Sequence, residues 1–137
     1  MSYVSSIIIY TDGAYSSSRN QGGWAFVVIT DGQKTHSSFD GVKDTTNNRM
    51  EVQSALEACR WAQLNNIQEF TIYADSMYLI GTMTLNWRRK KNTDLWLEMD
   101  KAIEGLNIEW RHVKGHAGDK WNSHCDVLAV HGSHLIF

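Results

Sequence analysis

Short apolar segments separated by turn residues open the chain, a pattern typical of β-strands. One strand is predicted at residues 5–10, around the apolar run 7–10, and another at residues 24–29. Asp31-Gly32 is a strong β-hairpin signal, so residues 34–39 are predicted to pair with the second run. The first third of the chain is therefore predicted to be an antiparallel meander of three strands.

The spacing of apolar residues changes after residue 48. They then recur at i, i+3, i+4, i+7 and i+10, which is the pattern of an amphipathic helix that faces a core. These residues are Val52, Ala55, Leu56, Cys59 and Ala62. Asn48 is predicted to cap this helix, and Asn65-Asn66 to end it.

The second half of the chain alternates between helices and strands. Strands are predicted at 70–73 and 108–113, and helices at 77–84, 93–105 and 122–130. Thr93 is predicted to cap the second of these helices, and Gly105 to end it. The order β-β-β-α-β-α-α-β-α predicts a mixed α/β fold, in which the later strands pair in parallel because helices connect them.

Composition and charge limit the class of protein. The chain has 137 residues, of which 42% are apolar, and it is predicted to form one domain over residues 1–137. No apolar run approaches the ~20 residues of a membrane span, and the N-terminus does not resemble a signal peptide. Cytoplasm is the expected compartment. The net charge of −2 implies that a nucleic acid would be bound by a local basic patch.

Two cysteines, Cys59 and Cys125, lie in apolar segments far apart in the sequence. Their number leaves a disulfide open, but a reducing compartment favours two buried free thiols. We therefore expect no covalent link between the two halves of the chain.

Four acidic residues each allow two interpretations from position alone. Asp12 and Asp75 follow apolar strands, where α/β folds place ligand groups. Equally, Asp12 could form an Asp-Gly turn, and Asp75 could cap the next helix. Glu51 could close a capping box with Asn48, and Asp126 could be a solvated residue at the edge of its helix.

Taken together, four such acids match the requirements of a two-metal site. Crowded carboxylates raise one another's pKa unless divalent cations neutralise them. Mg²⁺ prefers oxygen ligands and commonly shares its coordination shell with substrate phosphates. Two ions about 4 Å apart can activate a water and stabilise a leaving oxygen, which predicts phosphoryl-transfer chemistry.

Four motifs, in order and spacing, resemble those of type 1 ribonuclease H, and the resemblance covers about residues 7–129. They are Ile9-Tyr-Thr-Asp-Gly-Ala14, Thr45-Thr-Asn-Asn-Arg-Met-Glu51, Tyr73-Ala-Asp-Ser-Met-Tyr78, and Val113-Lys-Gly-His-Ala-Gly118 followed by Asn122-x-x-Cys-Asp126. The resemblance implies the α/β ribonuclease H-like fold. In that fold a five-stranded mixed sheet, with three antiparallel strands and then parallel crossovers, is flanked by helices.

The same resemblance implies an endoribonuclease that hydrolyses the RNA strand of RNA–DNA hybrids. It implies two Mg²⁺ ions, with Mn²⁺ as a substitute, and products with 5′-phosphate and 3′-hydroxyl ends. The implied metal ligands are Asp12, Glu51, Asp75 and Asp126. His116 lies in a Gly-rich loop and would transfer a proton or ease product release, although a loop histidine can also be merely solvated.

The resemblance also implies a set of contacts to the hybrid. Asn47 and Asn48 would lie in the minor groove, where an amide can read both hydrogen-bonding capacities of the ribose 2′-hydroxyl. Asn122 would hold the loop or the attacking water. The predicted nucleic-acid-binding residues are Gly13, Tyr15, Asn47, Asn48, Trp87, Arg88, Arg89 and Asn122. No membrane contact is expected, and the chain is expected to act as a monomer.

Three features depart from the family pattern. Met77 stands where the family usually has a glutamine that contacts the minor groove, so one hydrogen bond would be missing or supplied from elsewhere. Residues 16–21 lack the glycine-proline pattern of cellular bacterial members. The basic protrusion is reduced to residues 88–91 beside Trp87, which predicts few phosphate contacts and a shallow salt dependence. The alternative for this segment is a solvated charge run.

Two other functions compete with a free-standing enzyme. A catalytically silent hybrid-binding module would normally lack a metal ligand, whereas all four acids and His116 are present here. A domain attached to a polymerase or reverse transcriptase is the other alternative. A chain that starts at Met1 and ends soon after its last helix favours the free-standing enzyme.

Overall fold

The computed structural model describes residues 6–114 and 119–136, and in these residues it confirms the predicted order of strands and helices. The elements are β1 (Ile7–Ser16), β2 (Gln21–Thr30), β3 (Gln33–Lys43), α1 (Asn47–Leu64), β4 (Glu69–Ala74), α2 (Met77–Thr84), α3 (Thr93–Ala102), β5 (Asn107–His112) and α4 (Lys120–Ser133). In the described part of the chain, no helix is both long and apolar enough to span a membrane.

The five strands form one sheet in the order β3-β2-β1-β4-β5. The pairs β1–β2 and β2–β3 are antiparallel, whereas β1–β4 and β4–β5 are parallel. Asp31 (φ 50°) and Gly32 (φ 82°) have the positive φ angles that the tight turn between β2 and β3 requires. The mixed sheet predicted from the sequence is confirmed.

Strand β1 is longer than its apolar run, and this changes the position of Asp12. The strand continues to Ser16, which pairs with Gln21 of β2. Its parallel pairing with β4 stops earlier, at Thr11 opposite Ala74. Asp12 therefore follows the end of the parallel ladder but lies inside the antiparallel one, so its prediction as a strand-end residue is only half right.

Two predicted helix caps are wrong. Thr46, not Asn48, caps α1, because its side chain accepts a hydrogen bond from the Arg49 main-chain N–H at 3.1 Å. The helix begins at Asn47, so Asn48 is already helical. Thr93 is likewise the first helical residue of α3, and Asn92 before it has a left-handed backbone without a side-chain cap. Both helices begin one or two residues earlier than their sequence signals indicated.

Helices cover the two faces of the sheet and create two separate core clusters. The first cluster includes Ile9, Leu56 and Cys59, and α1 and α3 contribute to it. The second includes Tyr10 and Cys125, and α4 packs there against β1 and β2. Consecutive residues of β1 enter different clusters because side chains alternate along a strand. Both cysteines are buried and free, as predicted.

Helix α4 lies directly on the sheet at a pair of glycines. A Cβ atom on Gly23 of β2 would overlap the main-chain oxygen of Ala129, and one on Gly132 would overlap the main-chain oxygen of Asp40. Interiors are packed too densely to absorb such an overlap without displacement. The absence of side chains at these two positions brings the helix that carries Asp126 close to the strands.

Candidate active site

Three acidic residues meet beyond the end of the parallel ladder. One carboxylate oxygen from each of Asp12, Glu51 and Asp75 lies within 4.8 Å of the other two. Asp12 and Asp75 come together because each follows the last residue of a parallel pair, Thr11 and Ala74. Asp12 is 3% exposed and Glu51 is 4% exposed, so the cluster is largely removed from water.

Glu51 points toward β1 and is not a helix cap. The Gly13 main-chain N–H lies 2.6 Å from Glu51 Oε1 and 2.9 Å from Asp12 Oδ1, and both oxygens accept from it. A Cβ atom on Gly13 would lie 2.5 Å from the Met50 carbonyl carbon, so only glycine allows α1 to approach this closely. With Thr46 capping α1, the capping-box interpretation of Glu51 is excluded.

Asp75 is also not needed as a helix cap. Ser76 caps α2, and its hydroxyl accepts from the Leu79 main-chain N–H at 3.2 Å. His112 Nε2 lies 3.2 Å from the main-chain oxygen of Asp75, which fixes the chain next to β5. The Asp75 carboxylate is therefore left to face the other two acids.

The fourth predicted acid, Asp126, lies on α4 beside this cluster but outside the group of three within 4.8 Å. Its side chain contributes to the raised pKa of Asp12, so it borders the same site. Asn122, one helical turn earlier, is 4% exposed. Its Oδ1 is buried without a hydrogen-bond partner among the described residues.

Burial and like charge determine the protonation of the acids. Burial, followed by the charges of Glu51 and Asp75, raises the pKa of Asp12 well above its ordinary value of 3.8. Burial also raises the pKa of Glu51, although hydrogen bonds from Asp12 and Gly13 oppose the increase. Without a cation the cluster therefore retains protons at neutral pH.

The donor set fits divalent cations. Asp12 Oδ2 and Glu51 Oε2 are buried oxygens with no hydrogen-bond partner in the described residues, in addition to Asn122 Oδ1. A buried polar atom without a partner is destabilising, and oxygen atoms are the ligands that Mg²⁺ prefers. These residues could therefore hold Mg²⁺ or Mn²⁺.

Helix α4 begins earlier than predicted, with a cap that the sequence analysis missed. It starts at Lys120, and Asp119 Oδ1 accepts from the main-chain N–H groups of Trp121 and Asn122 at 3.0 and 3.1 Å. An aspartate just before a helix is a recognisable cap signal. The sequence analysis instead assigned Asp119 to the neighbouring Gly-rich loop. His116 of that loop lies outside the described residues, so its role stays a prediction.

Two of the predicted contacts to the hybrid lie at the start of α1, the helix that carries Glu51. Asn47 and Asn48 are exposed at the start of α1, and they line a cleft together with Thr46, Lys91 and Asn92. The sequence analysis did not single out Thr46 or Asn92, and it considered Lys91 only as part of the basic segment 88–91. Their adjacency depends on the packing of α1 against the start of α3, which periodicity does not reveal.

Two predicted residues near β1 already have partners within the protein. The Gly13 amide binds the two carboxylates described above. The Tyr15 hydroxyl donates to Asn20 Oδ1 at 2.8 Å, and Asn20 Nδ2 donates to Asp44 Oδ1 at 2.9 Å. These bonds connect the turn after β1 to the residues before α1.

The basic segment has both available and occupied cations. Arg88 lines a cleft with Lys90 and Lys91. In contrast, Arg89 donates to Asp100 at 2.7 Å, and its guanidinium lies 5.3 Å from the Trp96 ring centroid. The contribution predicted for Arg89 in nucleic-acid binding remains untested, but its side chain is already engaged.

Two further side chains near this segment are exposed. Trp87 is 44% exposed, and its ring covers Gly81 so closely that a Cβ atom there would overlap it. Met77, which stands in place of the usual glutamine, is 40% exposed at the start of α2. An aromatic ring and a thioether are thus available to a ligand at this surface.

Comparison with known proteins agrees with this fold. A family model for RNase H matches residues 4–134. Ribonuclease H of Acetivibrio thermocellus is 37% identical, over 90% of this chain and 92% of its own length. Ribonuclease H of Albidiferax ferrireducens is 38% identical, over 96% of this chain and 97% of its own length.

Solved structures lead to the same class. A type 1 RNase H with the type 2 active-site motif has a TM-score of 0.82 and 29% identity, over 93% of this chain and 71% of that one. RNase H1 of Halobacterium salinarum has a TM-score of 0.79 at 21% identity, over 92% and 96%, and shows the fold alone. These relatives define a class of endonucleolytic hydrolases. The chain belongs to the ribonuclease H family.

Proposed function

We propose that this chain hydrolyses the RNA strand of RNA–DNA hybrids by a two-metal mechanism, with Mg²⁺ as the natural ion and Mn²⁺ as a substitute. The products would carry 5′-phosphate and 3′-hydroxyl ends. The observation that supports this most strongly is the convergence of carboxylate oxygens from Asp12, Glu51 and Asp75 within 4.8 Å. Membership of the ribonuclease H family supports the substrate.

Each acidic residue has a role in holding the ions. Divalent cations bound here would activate a water and offset charge on the phosphate. Asp12, Glu51 and Asp75 would hold them, and Asp126 would complete the set from α4. The Gly13 amide fixes the orientation of two of these carboxylates before any ion arrives. Such preorganisation is what electrostatic catalysis requires.

The substrate side uses residues around the cluster. Asn47 and Asn48 would read the 2′-hydroxyl from the exposed start of α1, where amide groups can donate and accept. Main-chain groups at Gly13 and Tyr15 would add contacts to the same groove. Asn122 would use its unpartnered carbonyl oxygen to hold the attacking water.

The remaining predicted residues complete the reaction and bind the DNA strand. His116 would transfer a proton or ease product release. Trp87 would stack on the DNA strand, and Arg88 and Arg89 would contact its phosphates, with Arg88 the more available of the two. We further propose that the chain works as a single-domain monomer in the cytoplasm, without a membrane.

The test compares Asp12→Asn with the unmodified protein on a hybrid whose RNA strand is labelled. We expect Mg²⁺-dependent cleavage to fall by at least about a thousandfold, because the substitution removes the negative charge of one metal ligand. Asp40→Asn is the matched control, since Asp40 is exposed and, among the described residues, its side chain accepts only from the Gly41 main-chain N–H. An asparagine can accept that bond equally well.

Three further measurements complete the test. Circular dichroism establishes that both variants remain folded. RNA–RNA and DNA–DNA duplexes, in Mg²⁺ and in Mn²⁺, establish whether cleavage is specific to hybrids, and the product ends are identified by enzymatic labelling. Undiminished cleavage by Asp12→Asn would remove the metal site from the proposal. If the unmodified protein bound hybrid without turnover, in either metal, it would be a binding module and not an enzyme.

A further inference from the structure

Tyr10 of β1 contacts α4 at two points. Its hydroxyl donates to Asp119 Oδ2 at 3.1 Å, just before the helix begins. Its main-chain oxygen lies 3.5 Å from the Cys125 Sγ in the second turn of the helix, and this thiol can donate either to it or to the Ala25 main-chain oxygen of β2 at 3.4 Å. A single strand residue therefore holds α4 both at its start and near its middle.

Asp119 connects the strand to the helix cap. While Oδ2 accepts from Tyr10, Oδ1 accepts from the main-chain N–H groups of Trp121 and Asn122. Hydrogen bonds to an ionised carboxylate are stronger than those between neutral groups. Asp119 is also the first described residue after the segment that contains His116.

The Tyr10 side chain is itself held in place. Tyr10 and Tyr73 are register partners on β1 and β4, and their rings stack with centroids 5.2 Å apart. Each tyrosine precedes a site carboxylate by two residues, Asp12 and Asp75 respectively. Residues two apart on a strand project from the same face, so Tyr10 and Asp12 face α4 together.

The two contacts of Tyr10 bracket one site residue of α4 and adjoin the other. Asn122 lies between Asp119 and Cys125, and Asp126 directly follows Cys125. Fixing a helix at two points separated by six residues restrains both its rotation and its shift along its axis. These are the two movements that would carry Asn122 and Asp126 away from Asp12.

We propose that Tyr10 is a positioning residue, which sets the register of α4 on β1 and thereby places Asp126 and Asn122 against Asp12. This role rests on the proposed function, because the acids are taken to hold the metal ions. Reaction rates respond steeply to such placement, and a displacement of about 1 Å can reduce them about a hundredfold. Substrate affinity, which depends mainly on residues outside α4, should respond little.

The experiment compares Tyr10→Phe with Tyr73→Phe. Both variants lose one phenolic hydroxyl and keep the stacked ring, but only the first loses the bond to Asp119. For Tyr10→Phe we expect kcat on a labelled hybrid to fall about tenfold while KM changes less than about twofold. Mn²⁺ binding to the substrate-free protein, measured by calorimetry, should weaken several-fold. Tyr73→Phe should match the unmodified protein in all three.

A double-variant comparison separates this bond from general destabilisation. Asp119→Asn retains an oxygen that can cap α4, but it replaces the carboxylate oxygen that accepts from Tyr10. If the bond carries the effect, the Tyr10→Phe/Asp119→Asn double variant should lose no more kcat than the more affected single variant. Urea unfolding establishes that each variant is fully folded in the assay.

Specific outcomes would overturn the role of Tyr10. These are kcat and Mn²⁺ affinity in Tyr10→Phe equal to those of Tyr73→Phe, or losses that multiply in the double variant. If the unmodified protein cleaved no hybrid, the proposed function would fail instead. The Mn²⁺ titration, which needs no substrate, would still decide whether Tyr10 positions the acids.

Discussion

At the scale of single residues, burial controls the charge of the active site. Asp12 and Glu51 are almost completely enclosed, and each accepts from the same Gly13 amide. One amide cannot satisfy two carboxylates, so their charges remain in conflict. Burial is the main cause that raises the pKa of each group, and the charge of Asp75 raises both further. The arrangement of these acids therefore favours cation binding and lowers the stability of the metal-free protein.

This arrangement predicts how the stability of the metal-free protein depends on pH. In the folded state both pKa values exceed their ordinary values of 3.8 and 4.5, so the folded protein binds more protons than the unfolded chain. The protonated acids therefore stabilise the folded state. This stabilisation is complete below the ordinary pKa values and is lost as the pH rises toward the raised pKa values of the folded protein. In EDTA, the free energy of unfolding should fall between about pH 5 and about pH 8, by roughly 1 kcal/mol or more.

Urea denaturation of the unmodified protein and of Asp12→Asn measures this effect. The variant should show a flatter profile, because asparagine does not titrate, and Mg²⁺ should restore stability only to the unmodified protein. A metal-free profile that is identical in the two proteins would contradict the assigned charges.

The sequence located the acids but could not choose between their alternatives. Glu51 and Asp75 each matched a helix-cap position, and the structure assigns those caps to Thr46 and Ser76 instead. The choice depends on backbone torsions that residue identities do not determine. The contact of Tyr10 with Asp119 was beyond prediction for another reason, since it joins residues 109 positions apart.

At the scale of elements, helix starts are where sequence and structure differ most. Apolar periodicity placed all nine elements in order, because it reflects which side faces the core. It does not determine the ends of elements, where the residues are polar. The extension of β1 to Ser16 is of this kind, since pairing with Gln21 continues it beyond the last apolar residue.

The cap of α1 provides a prediction at this scale. Thr46→Ala should lower the free energy of unfolding by about 1 kcal/mol, because the Arg49 N–H loses its side-chain acceptor. Asn48→Ala is the control, since Asn48 is exposed within the first turn and caps nothing. Thermal or urea denaturation gives both values. If Asn48→Ala lowered the free energy of unfolding more than Thr46→Ala, then Asn48 would be the cap of α1.

At the scale of the whole molecule, charge is distributed in small groups. The net charge is only −2, and several arginines are paired internally, such as Arg49 with Asp94 and Arg89 with Asp100. The cations of the basic segment that line a cleft are Arg88, Lys90 and Lys91. A polyanion would therefore be attracted by a short segment and not by the whole surface.

Salt dependence of hybrid binding tests this distribution. Three phosphate contacts predict that log K falls with log salt with a slope of about −3 or shallower. Fluorescence anisotropy with the inactive Asp12→Asn variant measures the slope without cleavage. Lys91→Gln should reduce its magnitude by about 1, and Arg89→Gln should reduce it by less, because Asp100 already neutralises part of the Arg89 charge. A slope steeper than about −5 in the parent variant would reveal a larger phosphate interface.

The two buried thiols give this molecule a pair of natural chemical reporters. Cys59 belongs to the cluster beneath α1 and Cys125 to the one beneath α4, on opposite faces of the sheet. Each cysteine lies on its own helix, Cys59 on α1 and Cys125 on α4, so a thiol reagent can reach the sulfur only after that helix separates from the sheet. Parts of a protein open with different free energies. The two labelling rates would therefore measure the opening of each helix separately, in the natural sequence and without an engineered cysteine.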